Sequence, residues 1–127
     1  MRLKPDFTGA ANTNRAYDEG YILVNDQAIR RSVIVTPEKL ITDWPPQSFA
    51  DLQAGHLEQL LALDPEIVLL GTGARRHFPH PRFTYPLLSR GVGIEVMDTA
   101  AACRTYNFIM AEGRRVAAAL LLIGRES

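Results

Sequence analysis

The sequence predicts an α/β fold in which a mixed, mainly parallel sheet lies between helices. Residues 67–70, Ile-Val-Leu-Leu, form a short apolar run between Pro65 and the Gly71–Gly73 turn, which is typical of a strand buried on both faces. Burial on both faces requires helices above and below the sheet. After this strand, helix-like and strand-like segments alternate, and alternation favours parallel strands joined by right-handed crossovers.

The size and composition of the chain are those of one globular domain. Its 127 residues are 46% hydrophobic and 22% charged, so we predict a single α/β domain over residues 1–127. Residues 1–16 hold few large apolar side chains and are predicted to form a loosely ordered N-terminal segment. Lys plus Arg equals Asp plus Glu at 14 each, so the overall charge does not favour nucleic acid or an anionic membrane as a partner.

The sequence predicts a cytoplasmic location. It has no apolar run of ~18 residues that would form a membrane-spanning helix, and no apolar signal core follows Met1–Asp6. The single Cys103 excludes an internal disulfide and suits a reducing compartment. We therefore expect no membrane insertion.

The first half of the chain predicts a β-hairpin. Tyr21–Val24 and Ser32–Val35 are runs with strong β preference, and Thr36-Pro37 ends the second run. Asn25-Asp26 supplies a turn whose residues tolerate positive φ, and Gln27 begins the return. The two runs are therefore predicted to pair as a hairpin.

Residues 38–63 predict an irregular segment followed by a short helix. Two prolines exclude a regular helix around Trp44 and Phe49. These two aromatic side chains either plug the core or form an exposed contact site, and the first interpretation is favoured. Leucines recurring at helical spacing predict an amphipathic helix over Gln53–Leu63.

The second half of the chain alternates helices and strands. The predicted elements after the central strand are a helix from Thr84–Pro86 to Gly91, a strand over Ile94–Met97, a helix from Asp98 or Thr99 to about Glu112, and a last strand over Val116–Ile123. In the longer helix, Ala102, Tyr106 and Ile109 recur at the spacing of one buried stripe.

The turn after the central strand is the predicted functional edge. A dinucleotide fingerprint starting at Gly71 would need glycine at Arg76, and no P-loop sequence follows. Two interpretations remain open: the glycines serve only a sharp turn, or their amides, together with Arg75 and Arg76, hold an anion or a carboxylate. Thr99 is expected near the same edge, because the strand before it is predicted to be parallel to the central one.

No pattern for a metal, a cofactor or a catalytic group is found. His77 and His80 lack a third ligand at a suitable spacing, and Cys103 is predicted to be a small buried hydrophobic residue. Glu95 has no visible partner for general-base chemistry. The sequence therefore predicts no metal, no cofactor and no catalytic residues. It leaves open whether any reaction is catalysed, with a non-enzymatic role favoured.

Several segments together resemble a known family, the MTH-type domain, formerly of unknown function. They are residues 93–99 (Gly-Ile-Glu-Val-Met-Asp-Thr), 102–107 (Ala-Cys-Arg-Thr-Tyr-Asn), 112–120, the stretch 65–73 and the hairpin region 20–25, within a likeness over most of residues 17–122. The family includes bacterial and archaeal single-domain proteins and the mitochondrial NADH dehydrogenase (complex I) assembly factor 3. The resemblance implies a three-layer α/β fold around a mixed sheet, with the last strand antiparallel to the others. It implies no established catalytic residues.

The predicted function is a non-enzymatic protein-interaction or assembly-factor-like domain, linked to assembly of a membrane-bound respiratory complex and acting through a protein partner. The alternative is a small-molecule or anion-binding protein, or an enzyme, that uses the Gly71–Arg76 edge. The candidate residues for binding a ligand or partner are Gly71, Thr72, Gly73, Arg75, Arg76, Thr99 and Asn107.

Overall fold

The structure, a computed structural model, describes residues 11–124. Within this range the chain forms eight strands and three α-helices, with short 3-10 turns before and after the first helix. In chain order the elements are β1 (Asn14–Asp18), β2 (Tyr21–Val24), β3 (Gln27–Ile29), β4 (Val33–Val35), β5 (Leu40–Ile41), the turn Phe49–Asp51, α1 (Ala54–Glu58), the turn Gln59–Leu63, β6 (Ile67–Thr72), α2 (Pro81–Leu88), β7 (Gly93–Met97), α3 (Thr99–Ala111) and β8 (Val116–Leu121). These elements confirm the predicted α/β class.

The main sheet has five strands in the order β5-β4-β8-β6-β7. Strand β6 pairs in parallel with both β7 and β8, whereas β4 pairs antiparallel with both β5 and β8. The sheet is therefore mixed, as predicted. Two of its strand pairs are parallel and two are antiparallel, so it is less parallel than expected. The expectation that the last strand is antiparallel to the others is wrong for β6, because α3 returns the chain to the end of the sheet where β6 begins. The short Arg114-Arg115 link then leads directly into a parallel strand.

Hydrophobic side chains pack on both faces of this sheet. Leu69 belongs to the core cluster that includes α3, while Val68 and Leu70 belong to the cluster that includes α1 and α2. These three side chains have no exposed surface and Ile67 is half-buried, which confirms the prediction of a central strand covered on both faces. Trp44 is fully buried in the second cluster, so it plugs the core as predicted.

The predicted hairpin forms with a different partner strand. β2 pairs with β3, and β4 instead belongs to the main sheet, where it pairs with β8. Asn25 adopts φ 54°, so the chain reverses within two residues and the return strand starts at Gln27. The prediction that Ser32–Val35 completes this hairpin is wrong, because residues 27–29 already occupy that side of β2.

The N-terminal part of the chain is more ordered than predicted. Residues 1–10 of the predicted loose segment lie outside the described residues, but β1 begins at Asn14 and pairs antiparallel with β2 in a separate three-stranded sheet. Asn12 fixes the chain ahead of β1, because its Nδ2 donates to the Thr36 and Lys39 carbonyls, each at 2.9 Å. For residues 11–16 the prediction of loose order is therefore wrong.

Each helix overlaps its predicted range, but only α3 has both ends close to the predicted positions. The Gln53–Leu63 segment divides into α1 and a 3-10 turn, which Asp64 ends at φ 53° before Pro65. Helix α2 begins at Pro81 and not at Thr84. The reason is local: proline needs no hydrogen-bond acceptor in the first helical turn, and the His80 Nδ1 accepts from the Arg82 amide at 3.1 Å.

Candidate interaction site at the carboxyl edge of the sheet

The end of β6 packs directly against the start of α3. A Cβ atom on Gly71 would lie 2.9 Å from Thr99 Oγ1 and 3.0 Å from Thr99 Cα. Contacts under 3.0 Å are essentially absent around real Cβ atoms, so only glycine allows the helix to approach this closely. Gly71 therefore has a packing role at the predicted edge.

The Thr99 hydroxyl joins three elements at this point. It accepts a hydrogen bond from the Gly73 amide at 2.8 Å and donates one to the Leu121 carbonyl at 2.5 Å. The Thr99 amide in turn donates to the Gly73 carbonyl at 2.9 Å. Thr99 is fully buried, and both backbone groups of Gly73 are already satisfied within the protein.

Thr72 fixes the loop that follows β6. Its Oγ1 accepts from the His77 amide at 3.0 Å and donates to the Arg75 carbonyl at 2.5 Å. This pair of bonds holds the loop in a compact turn, and it leaves the Arg75 and Arg76 side chains in solvent. The sequence places these arginines correctly at the edge, but it does not show that Thr72 orients their loop.

The amides predicted to hold an anion are used inside the protein. Gly73 is paired with Thr99, and at the start of α3 the Asp98 carboxylate accepts from the Ala101 amide at 2.8 Å. The positive end of α3 therefore already faces a negative side chain. The accessible positive charge at this edge lies on Arg75 and Arg76.

An exposed aromatic ring accompanies these arginines. The Arg76 guanidinium carbon lies 4.8 Å from the centre of the Phe78 ring, and Phe78 is 69% exposed. We call residues 75–78 the basic–aromatic loop. A guanidinium stacked on a ring retains donors for a carboxylate, so this loop can bind an acidic group next to an apolar one.

Asn107 lies apart from this edge. It is eight residues beyond Thr99 on α3, or about 12 Å along a helix that rises ~1.5 Å per residue. Its Oδ1 accepts from the Asn14 amide at 2.9 Å and its Nδ2 donates to the Asn14 carbonyl at 2.8 Å. Asn107 thus attaches β1 to α3, and the structure does not bring it together with the other candidate residues.

A cleft of about 300 Å³ lies beside the carboxyl edge. Phe49 and His77 line it, with ring centres 5.2 Å apart, next to Thr72 and Gly73. Phe49 is not among the residues predicted for the site, because residues 47–50 approach β6 only through the tertiary fold. A side chain in an irregular segment carries no periodic pattern that would indicate this contact.

The buried ionisable groups near α3 are poor catalysts. Burial raises the pKa of the Cys103 thiol to about 12, although Arg104 opposes the shift. Burial, assisted by Glu38, also raises the pKa of Tyr106. Both groups are therefore protonated at neutral pH and are not activated as nucleophiles or bases. Within residues 11–124, no three His, Cys, Asp or Glu side chains form a group that could hold a metal ion.

A family profile and several known proteins are similar to this chain. The profile described as "Protein of unknown function (DUF498/DUF598)" matches residues 14–121. NADH dehydrogenase (ubiquinone) 1 alpha subcomplex assembly factor 3 of Xenopus tropicalis is 34% identical over 105 residues, which are 81% of this chain and 56% of that protein. The chain thus spans less than two thirds of this curated relative. The "13 kDa major membrane protein" of Francisella tularensis subsp. holarctica (strain LVS) is 31% identical over 122 residues, 95% of this chain and 99% of that protein.

Solved structures match the fold closely. A crystal structure of a Bordetella parapertussis protein is 49% identical with a TM-score of 0.85, covering 90% of this chain and 98% of that chain. A solution structure from Bordetella pertussis, described as a Mth938-like domain, is 40% identical with a TM-score of 0.82 and covers 98% and 94% respectively. As for the membrane, none of the helices in the described part of the chain has the length and apolar character needed to span it.

Proposed function

This chain belongs to the DUF498/DUF598 family of Mth938-like domains, and on that basis we propose that it acts as a protein-binding assembly factor and not as an enzyme. We propose that its client is a membrane-bound respiratory complex. The similarity to a complex I assembly factor supports this client, because the similar region covers 81% of this chain. We propose a cytoplasmic location. The chain has a single cysteine, so it forms no internal disulfide and does not need an oxidising compartment.

One geometric observation supports a contact function at this edge. The polar groups that would bind a substrate, those of Thr72, Gly73 and Thr99, are bonded to one another or to neighbouring backbone groups. The side chains that face solvent are Arg75, Arg76 and Phe78. A stacked arginine beside an exposed aromatic ring is the composition that anchors many protein interfaces. We therefore assign the partner contact to the basic–aromatic loop.

The function is tested by deleting the gene in its host and following the respiratory complexes of the membranes on native gels. Loss of the protein should lower the amount of the intact complex and cause partial assemblies to accumulate. The wild-type gene should restore the complex, whereas Arg75→Ala/Arg76→Ala should not. The matched control is Arg30→Ala/Arg31→Ala, which removes two adjacent exposed arginines elsewhere and should restore assembly fully.

A photo-crosslinking amino acid then identifies the surface that is contacted. Placed at position 78, it should crosslink to a subunit of the complex. Placed at position 108 it should not, although Phe78 and Phe108 are both 69% exposed in the folded chain. Unchanged complexes in the deletion strain, or equal crosslinking from both positions, would overturn the proposal.

The cleft beside the edge supports a second candidate function, binding of a small molecule or anion. Its volume of about 300 Å³ is at the lower end of the range for ligand sites, and the His77 ring supplies a group that can donate to an anion. A thermal-shift screen of metabolite-sized carboxylates and phosphates tests it. A ligand in this cleft should raise the melting temperature of the wild type and have a smaller effect on Phe49→Ala or His77→Ala.

A further inference from the structure

One stretch of the chain carries basic charge without any acidic residue. From Gly73 to Ile94 there is no Asp or Glu, whereas the rest of the chain has ten basic and fourteen acidic residues. The four arginines of the stretch are all exposed, and they are Arg75, Arg76, Arg82 and Arg90. A chain with no net charge thus concentrates positive potential on the loop after β6 and on α2.

The outer side of α2 also exposes apolar side chains. Leu87 is buried against the sheet, while Tyr85 is 67% and Leu88 54% exposed. Single exposed apolar residues are common, but these two lie three residues apart on the helix, flanked by arginines. We call Arg82, Tyr85, Leu88 and Arg90 the α2 surface.

A groove runs beside this surface. Helices α1 and α2 border an open groove of about 570 Å³. Its lining residues are Glu58, Leu61, Tyr85, Pro86, Ser89 and Arg90. The groove is large enough to accept apolar side chains, with Arg90 available at its rim for a carboxylate.

Two arginines of the stretch rest on aromatic rings. Arg82 lies 5.2 Å from the centre of the Phe83 ring, as Arg76 lies 4.8 Å from that of Phe78. Stacking restricts a long side chain before a partner arrives, so less conformational entropy is lost when a carboxylate binds.

We propose that the basic–aromatic loop and the α2 surface form one continuous docking surface for an acidic polypeptide segment that carries apolar side chains. The inference rests on the proposed function and specifies the chemistry of its partner. Carboxylates of the segment pair with Arg82 and Arg90, and its apolar side chains enter the groove between α1 and α2. A polypeptide fits better than a lipid bilayer, because a flat bilayer cannot fill a groove, whereas the side chains of a peptide can enter it.

The test is selection of a random peptide library against the full chain at low salt. Enriched peptides should be rich in Asp and Glu and should contain aromatic or large aliphatic residues. An enriched peptide should bind Arg82→Gln/Arg90→Gln about tenfold or more weakly, as expected when two charge-assisted contacts are removed. Tyr85→Ala should weaken binding by a similar factor.

Salt and matched variants give the controls. Raising the salt should weaken binding to the wild type more than binding to the arginine variant, since screening acts on the contact that the variant lacks. Arg30→Gln/Arg31→Gln and Phe108→Ala remove exposed side chains elsewhere and should leave the affinity unchanged. Far-ultraviolet circular dichroism of each variant confirms that it is folded.

The results separate this inference from the proposed function. Peptides without acidic residues, no enrichment, or affinities insensitive to Arg82, Tyr85 and Arg90 would overturn the docking surface. The docking surface would also be overturned if no peptide binds and the chain instead binds phosphatidylglycerol vesicles through these residues. If the variants of the α2 surface still restore complex assembly and Arg75→Ala/Arg76→Ala does not, the inference fails and the function stands. If neither the variants of the α2 surface nor Arg75→Ala/Arg76→Ala affect complex assembly, both the inference and the proposed function fail.

Discussion

Thr99 packs against Gly71 so closely that a methyl group on the glycine would lie 2.9 Å from the threonine hydroxyl oxygen. In open α/β sheets, ligands bind outside the carboxyl ends of the strands, in the crevice where the strand order reverses. Here that point lies between β6 and β8, because the chain passes from β6 to β7 on one side and then returns to β8 on the other side of β6. The Thr99 hydroxyl bonds Gly73 beyond β6 and Leu121 at the end of β8. Thr99 occupies this crevice, so the fold uses its usual ligand position for internal packing.

Replacing Gly71 with alanine should destabilise the protein. The added Cβ meets both the Thr99 hydroxyl and the Thr99 backbone, and the backbone contact cannot be relieved by a side-chain rotation. We expect a loss of ~1–3 kcal/mol in the free energy of unfolding, as for other overpacked core sites. Urea unfolding followed by circular dichroism measures this loss.

Gly55→Ala is the matched control for that substitution. A Cβ on Gly55 meets nothing within 4 Å, and Gly55 lies inside α1. This variant should be neutral or more stable by ~0.5–1 kcal/mol, because alanine loses less conformational freedom in a helix. Equal stability changes in the two variants would show that the Gly71 contact is not tight.

Removing the Thr99 hydroxyl should be costly even when the shape of the side chain is kept. Thr99→Val leaves the Gly73 amide and the Leu121 carbonyl without their buried partner. We expect a loss of ~2–4 kcal/mol, since each unsatisfied buried group costs ~1–3 kcal/mol. Thr99→Ser keeps the hydroxyl and should lose less. A valine variant as stable as the serine variant would contradict the role of the hydroxyl.

The sequence predicts the elements whose structure depends on local pattern. The apolar run ending at Leu70 and the stripe containing Tyr106 identify β6 and α3, because burial on two faces or on one helical side leaves a periodicity in the chain. Pairing between distant segments leaves no such trace. That is why β4 is predicted next to β2, whereas Val33 lies opposite Leu120 in the main sheet.

The same limit applies to the candidate site. The glycines and arginines after β6 are visible in the sequence, and their position at a strand end is inferred correctly. The Gly73 amide donates a hydrogen bond to the Thr99 hydroxyl, 26 residues away, so the spacing of residues in the sequence cannot show that this amide is already bonded. Asn107 likewise meets its partner Asn14 across 93 residues.

Asn107 is expected to hold β1 on α3. Asn107→Ala removes two hydrogen bonds to the Asn14 backbone, and we expect a loss of ~1–3 kcal/mol. Hydrogen exchange should show faster exchange of the Asn14 amide and little change in β6. Arg104→Ala is the control, because Arg104 also contacts β1, through Tyr17, but is fully exposed and should cost little. Unaltered exchange at Asn14 would contradict this attachment.

Tyr106 should be the most sensitive aromatic position on α3. Its ring is fully buried and its hydroxyl donates to the Asn12 carbonyl at 2.9 Å. Tyr106→Ala should lose ~3–5 kcal/mol in urea unfolding, and Tyr106→Phe only about 1 kcal/mol, since it keeps the ring. Tyr85→Ala, at a tyrosine that is 67% exposed, should stay within ~0.5 kcal/mol. A loss below about 1 kcal/mol for Tyr106→Ala would place the ring outside the core.

Cys103 should make the protein less stable in alkaline solution. Burial raises the pKa of its thiol from the ordinary value of 9.0 to about 12 in the folded chain. Between these two values the unfolded chain has released the proton and the folded chain retains it, so the free energy of unfolding falls as the pH rises. Between pH 8 and pH 10 this single group should lower the stability by about 1 kcal/mol.

Urea unfolding of the reduced protein at these two pH values measures the effect, with Cys103→Ala as the comparison. The alanine variant is expected to be less stable at pH 8, because it removes a buried sulfur, but to lose less stability on going to pH 10. The pH range stays at or below the ordinary pKa of tyrosine, about 10, to limit the contribution of the buried Tyr106, whose raised pKa acts in the same direction. If both proteins lose the same stability between pH 8 and pH 10, the thiol is not the group responsible.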